Sequence, residues 1–330
     1  MERGLGAGPP DPHGRGDGAA RGGPALSAPA ARPAPLWPQA LLFVVPAFWS
    51  SNYLIARLAN GVIHPHALAF GRWAIALALM LPWVGAELWR ERRRWRREWR
   101  DLLVLGALGM WICGAWVYIG GQSTSATNIA LIYAATPVAI AVAGVKLLHE
   151  RMSGAQRWAV AAAVAGVLFV IAKGQVGRLG AVRFTAGDGW IVAAALSWTA
   201  YSVLQQRWPS VLSPAARLAM TIAAGLVVLL PFVVHEACSA PPLPLGARAW
   251  TLVLLAAVLP GVLSYGAYAY LQRALGAART ALLLYLGPVY AAFGAWAVLG
   301  EAPGWYHLAG GALILPSIWL ATRPAPPANA

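Results

Sequence analysis

From residue 38 to residue 322, apolar stretches close to the length of a membrane span alternate with short polar turns. They cover about residues 38–57, 66–86, 101–121, 126–148, 155–173, 188–206, 217–235, 249–272, 277–299 and 304–322. A helix needs roughly 20 residues to cross hydrocarbon. The pattern therefore predicts an all-α integral membrane protein with ten transmembrane helices. The Gly, Pro, Ser and Tyr inside these runs are compatible with membrane helices, where neighbours satisfy the backbone.

The second half of the chain repeats the first. Trp49, Asn52, Tyr53 and Ala56 recur as Trp198, Tyr201, Ser202 and Gln205, at the same i, i+3, i+4, i+7 spacing. ATNIALIYAATPVAIAVAGVKLLHE (126–150) aligns with AARTALLLYLGPVYAAFGAWAVLGE (277–301), so Pro137 and Glu150 recur 151 residues later as Pro288 and Glu301. Five segments per half is an odd number, which predicts two inverted five-helix repeats crossing the membrane in opposite directions. The expected organisation is a disordered N-tail (1–35) rich in Gly, Pro and Ala, a first repeat (36–173), a linker (174–187), a second repeat (188–322) and a C-tail (323–330).

Composition agrees with a membrane assignment. The 330 residues are 59% hydrophobic and 11% charged, with mean hydropathy +0.60, whereas soluble domains carry roughly a quarter charged residues. The net charge of +14 reads as topology and not as nucleic-acid binding. With the N-terminus inside, the inner segments collect four arginines of the tail and seven of RERRRWRREWR (90–100). They also hold Lys146, Arg151, Arg157, Arg207, Arg217, Arg273, Arg279 and Arg323. Six of the 25 basic residues remain elsewhere. The positive-inside rule then puts both termini in the cytoplasm of a multi-pass inner-membrane protein. The 90–100 segment reads as a headgroup-level anchor or as a sensor of anionic lipid. Cys113 falls inside a predicted helix and Cys238 in an outer loop, so no disulfide is expected.

Polar residues at mid-depth mark the candidate chemistry. A polar stripe facing lipid is costly, so it should face protein, water or solute. Trp49, Asn52 and Tyr53 share one face of the first helix. Trp198, Tyr201, Ser202 and Gln205 share the matching face of the sixth. Ser50, Ser51 and Thr199 read as interhelical glue. Arg72, six residues into the second helix, either grips a solute carboxylate with its planar fork or snorkels to headgroups, as Arg57 is expected to do. Trp37, Trp83, Trp89, Trp250 and Trp305 fit an interfacial belt. Trp111, Tyr133, Tyr265, Tyr268 and Tyr285 fall deeper and are candidate cavity walls. Pro137 and Pro288, at matched depth, are either hinges or static kinks. Glu150 and Glu301 are expected at the membrane edge as helix caps.

No Asp or Glu falls at a predicted helix centre, which argues against a mid-membrane carboxylate proton relay. No HExxH or P-loop pattern occurs, so neither catalytic residues, a metal nor a cofactor is expected. The alternatives to a carrier are a passive channel or a non-transporting membrane scaffold.

FWSSNYLIARLANGVIHPHALAFGRWAIALALMLPW (48–83), YAATP…HER (133–151) and YLGPVYAAFGAWAVLGE (285–301) resemble EamA-type transporters of the drug/metabolite transporter superfamily. The resemblance spans about residues 38–322. It implies a central cavity between the halves and alternating access, in a family of exporters and importers of amino acids, nucleotide precursors and other small metabolites; an amino acid or similar organic solute moved outward is the expectation here. It leaves the solute, the direction, any coupling ion and the oligomeric state open.

Overall fold

The computed structural model describes residues 37–124, 129, 132–133, 136–148, 152–172, 174–175, 177, 185–299 and 304–322. Glu150, Glu301, both tails and most of the linker lie outside these residues. Among the described residues every regular element is helical.

The helices are α1 (Trp37–Leu58), α2 (Pro65–Arg90), α3 (Arg92–Gly120), α4 (Thr136–Leu147), α5 (Gly154–Ile171), α6 (Ala186–Arg207), α7 (Pro214–Ser239) and α8 (Ala247–Leu275). Three consecutive pieces, Ala277–Ala281, Leu282–Leu286 and Gly287–Leu299, form α9, and α10 is Trp305–Thr322. Among the described residues five helices are long and apolar enough to cross a membrane: α1 over Ala40–Leu58, then α2, α3, α7 and α8.

Local chemistry sets the helix ends. Pro65 and Pro214 open α2 and α7, where the missing N–H would have had no helical partner. The Ser213 hydroxyl caps α7 by accepting from Ala216 N. Thr185 and Asp188 form a capping box at the start of α6, leaving fewer orphan donors in the first turn. The α8 helix stops at Gly276, whose φ of 84° is open to glycine at little steric expense.

Helices contact in matched sets. The α1 helix packs on α8 and α9, as α6 packs on α3 and α4. The α2 helix packs on α8, as α7 packs on α3, and three further pairs are α2 with α7, α4 with α9, and α5 with α10. The α2 and α7 helices run antiparallel, since the last turn of each reaches the first turn of the other. Small residues allow close approach. A Cβ on Gly106 of α3 would stand 2.5 Å from the Gly225 backbone nitrogen of α7, and one on Gly187 of α6 would stand 2.7 Å from the Gly120 carbonyl of α3.

Two helices contain a π-helical turn, Ala107–Ile112 in α3 and Val258–Leu263 in α8. The second lies 151 residues after the first, the same spacing that separates Pro137 from Pro288. Those two prolines each occupy the second residue of an α-helical piece, Thr136–Leu147 and Gly287–Leu299. Pro288 stands inside α9, where the Leu282–Leu286 piece of 3-10 helix gives way to α-helix, a place where the N–H that proline lacks is least missed.

Candidate functional site

Wide turns such as these π segments release backbone carbonyls from the helical ladder. In α3 three consecutive carbonyls accept from three other helices. Ser197 Oγ of α6 donates to Leu108 O (2.8 Å), Tyr265 Oη of α8 to Gly109 O (3.2 Å), and Trp73 Nε1 of α2 to Met110 O (3.0 Å). Gly109 must lack a side chain, because a Cβ there would sit 2.8 Å from the Tyr201 ring. In α8, Ser264 Oγ donates to Leu259 O at 2.9 Å. The three bonds to α3 carbonyls hold Trp73 of α2, Ser197 of α6 and Tyr265 of α8 against it.

An aromatic cluster occupies the middle of the bundle. The Trp49 ring meets Trp198 edge-on at 5.2 Å, Tyr265 at 5.9 Å and Tyr268 at 5.0 Å. Trp198 stacks on Tyr201 at 5.3 Å and meets Tyr265 at 5.3 Å. Tyr53 and Tyr133 stand 6.1 Å apart. Edge-to-face pairs at these separations are favourable beyond simple burial.

Beside the cluster lies a cavity of about 70 Å³ lined by Trp49, Asn52, Tyr53, Arg72, Cys113, Val117, Tyr133, Trp198, Tyr265 and Leu284. Small-molecule pockets usually enclose roughly 300–1,000 Å³, so this one is contracted.

Among the described residues, Arg72 is the one charged residue lining it, and it is 2% exposed. Arg72 Nη1 donates to Tyr118 Oη at 2.6 Å and to Asn52 Oδ1 at 3.3 Å, and Tyr118 Oη donates to Asn52 Oδ1 at 2.7 Å. The guanidinium carbon lies 4.2 Å from the Trp73 ring centroid. No carboxylate among the described residues pairs with Arg72, and its Nε is buried without a partner. Trp198 Nε1 is a second buried donor in the wall without a partner. Buried polar groups are normally satisfied, and an unpaired buried cation is costly.

Seven of the eleven residues expected at the cavity therefore line it: Trp49, Asn52, Tyr53, Arg72, Tyr133, Trp198 and Tyr265. The other four stand elsewhere. Tyr201 and Tyr268 form a fully buried layer behind the wall. Trp111 stacks on Phe232 at 4.1 Å. Tyr285 sits in a separate apolar cluster with Leu282, Leu286 and Ile314. The snorkelling alternative for Arg72 does not hold, because its side chain is enclosed by protein. Periodicity did not single out Tyr118, Cys113, Val117 or Leu284. Tyr118 carried one usable signal, a hydroxyl inside a long apolar run.

The same ring-lined, single-cation cavity sits in a chain that matches a known family twice. The model of the EamA-like transporter family matches residues 36–172 and again residues 185–323. This chain belongs to the EamA-like transporter family.

Relatives agree. An uncharacterized transporter of Archaeoglobus fulgidus is 23% identical, over 86% of this chain and 96% of its own. The uncharacterized transporter YyaM of Bacillus subtilis is 25% identical, over 73% and 79%. A probable terminal-alkyne amino-acid exporter of Streptantibioticus cattleyicolor is 27% identical, over 83% and 90%. A protein of known crystal structure superposes with a TM-score of 0.67 at 18% identity, over 88% of this chain and 97% of its own, and so shares the fold. EamA membership makes this a multi-pass membrane transporter whose cargo is a small-molecule solute.

Proposed function

We propose that this EamA protein is a secondary transporter that exports a small organic metabolite carrying a carboxylate, an amino acid or a close analogue, by alternating access across the cytoplasmic membrane. The observation that carries the reading is Arg72, a buried guanidinium on the cavity with no acid partner among the described residues and an unpartnered Nε. Its planar fork suits both oxygens of a carboxylate. The faces of Trp49, Tyr53 and Tyr133 suit the apolar part of the solute, or an ammonium group through cation–π attraction. The amino-acid exporter among the relatives is in keeping with this class.

In this reading, residues 36–173 and 188–322 form two inverted five-helix repeats, joined by 174–187 and flanked by cytoplasmic tails. The matched helix contacts, the 151-residue spacing of the π segments and the antiparallel α2–α7 pair support it. The contracted cavity fits a conformation between two open ones. Opening would require α1 and α6, which carry Trp49 and Trp198, to part. Pro137 and Pro288 are the proposed hinges, and Glu150 and Glu301 the proposed edge caps.

Proteoliposome assays with labelled amino acids test the proposal. Saturable, counterflow-competent flux by the wild type, with Arg72→Gln inactive, is expected. Flux that rises linearly with concentration would instead identify a channel.

A further inference from the structure

A second and larger cavity, of about 260 Å³, opens at the end of the bundle where α6 ends and α7 begins. Arg217 and Arg273 line it together with Gln205, Gln206, Gln272 and Ser210. Among the described residues no carboxylate lines it.

Its polar groups divide into satisfied and unsatisfied sets. Gln205 Nε2 donates to Gln272 Oε1 at 3.1 Å, Gln206 Nε2 donates to Gln272 O, and Gln272 Nε2 donates to Ser202 O at 3.3 Å. The nearby acid Glu98 is engaged by Ser210 Oγ (2.6 Å) and Val211 N (3.0 Å). Arg217 is 8% exposed, donates from Nη1 to Gln205 O at 2.7 Å, and leaves its Nε buried without a partner. Arg273 holds Leu212 O through Nη2 at 3.2 Å.

Two guanidinium groups on one cavity repel each other, and the buried one has lost much of its hydration, while the acids nearest it, Glu98 and Asp101, act on it only at a distance and form no ion pair with it among the described residues. An anion between them would relieve both. The space is separate from the central cavity. Buried Tyr201, Ser202 and Tyr268 stand between the two, with the Ser202 and Tyr268 hydroxyls 3.2 Å apart.

We propose that this second cavity is an oxyanion site, taking a carboxylate or phosphate group between Arg217 and Arg273. The inference goes beyond the transport reading, because it concerns binding at a different place and does not require Arg72 to touch solute.

Thermal unfolding of the full chain in nanodiscs tests it. In neutral phosphatidylcholine discs at constant ionic strength, inorganic phosphate at tenfold its Kd should raise Tm by about 3 °C. The rise should persist in Arg72→Gln and vanish in Arg217→Gln. In Arg273→Gln the midpoint of the phosphate titration should move about tenfold higher. A parallel set in phosphatidylglycerol discs without phosphate identifies the source. Stabilisation there that Arg217→Gln abolishes assigns the site to a lipid headgroup, and stabilisation by free phosphate assigns it to a soluble anion.

The proposal is overturned if neither arm stabilises the wild type, or if Arg217→Gln responds as fully as the wild type. Should Arg217→Gln fail to fold, Arg273→Gln decides, since an unshifted midpoint in that variant also overturns it. Loss of transport on its own touches only the Arg72 reading.

Discussion

Glu87 and Glu236 perform the same task at opposite ends of one helix pair. Glu236, near the end of α7, accepts from His66 N (3.2 Å) and Ala67 N (2.9 Å) in the first turn of α2, and its Oε1 lies 3.0 Å from His66 Nδ1. Glu87, near the end of α2, accepts from Ser213 N and Ser213 Oγ at the start of α7, both at 2.6 Å. Each carboxylate meets the positive end of the other helix's dipole. The pair is thus clamped at both ends across the apolar surface between them. Replacing either residue by Ala should lower stability by about 1–2 kcal/mol, in the range of a lost helix cap. Because the two sites lie at opposite ends of the pair, the losses should add in the double variant. Thermal unfolding in detergent would show this, and a double variant no less stable than either single one would contradict it.

Arg72→Lys is a sharper probe than charge removal. Lysine keeps the cation but loses the fork and the hydrogen bonds to Tyr118 and Asn52. Transport by Arg72→Gln should drop at least about 30-fold in kcat/KM, consistent with losing a buried charge pair worth roughly 2–5 kcal/mol. Arg72→Lys should retain a small, measurable flux. Equal and full activity in both variants would remove Arg72 from the site.

Tyr118→Phe isolates positioning from contact. Tyr118 is not among the cavity-lining residues, yet its hydroxyl holds Arg72 and Asn52 together. The variant should fold normally and show a KM raised at least about tenfold, the effect of one lost hydrogen bond to a charged group worth roughly 1.5–3 kcal/mol. Unchanged kinetics would mean that Arg72 keeps its place without this hydroxyl.

Gly106→Leu and Gly225→Val should abolish stable folding or reduce expression sharply. The α3 and α7 backbones meet at these glycines, so a side chain at either forces the helices apart. Gly154, with nothing within 4 Å of its would-be Cβ, is the control. Size-exclusion profiles of Gly154→Ala and Gly225→Val would separate the two cases.

Cys113 faces the cavity while Cys238 is exposed at the end of α7. A membrane-impermeant maleimide should react quickly with Cys238 from one side of sealed vesicles. A small methanethiosulfonate reagent should reach Cys113 slowly, and more slowly still with transported solute present. Identical rates at both thiols would place Cys113 outside the pathway.

Helix content and the polar stripe on α1 and α6 were legible in the chain because both are local, periodic properties. Trp49, Asn52, Tyr53 and Trp198 could be placed on the cavity for that reason: a polar or amphipathic face at mid-depth has few places to go in lipid. The 151-residue repeat was likewise visible as matched residue types. The partners of those residues were not legible. Tyr118 reaches Arg72 from another helix, 46 positions along the chain. The π segments that release the Leu108, Gly109 and Met110 carbonyls leave no mark in hydropathy. Tyr201 and Tyr285 look like cavity aromatics by depth, but whether a ring faces a void or a neighbour depends on helix rotation and packing. One-dimensional pattern therefore determined which segments are helices and which faces avoid lipid. Tertiary contacts decided which of those faces meet, because the choice rests on close backbone approach at Gly106–Gly225 and on side-chain bonds between distant helices.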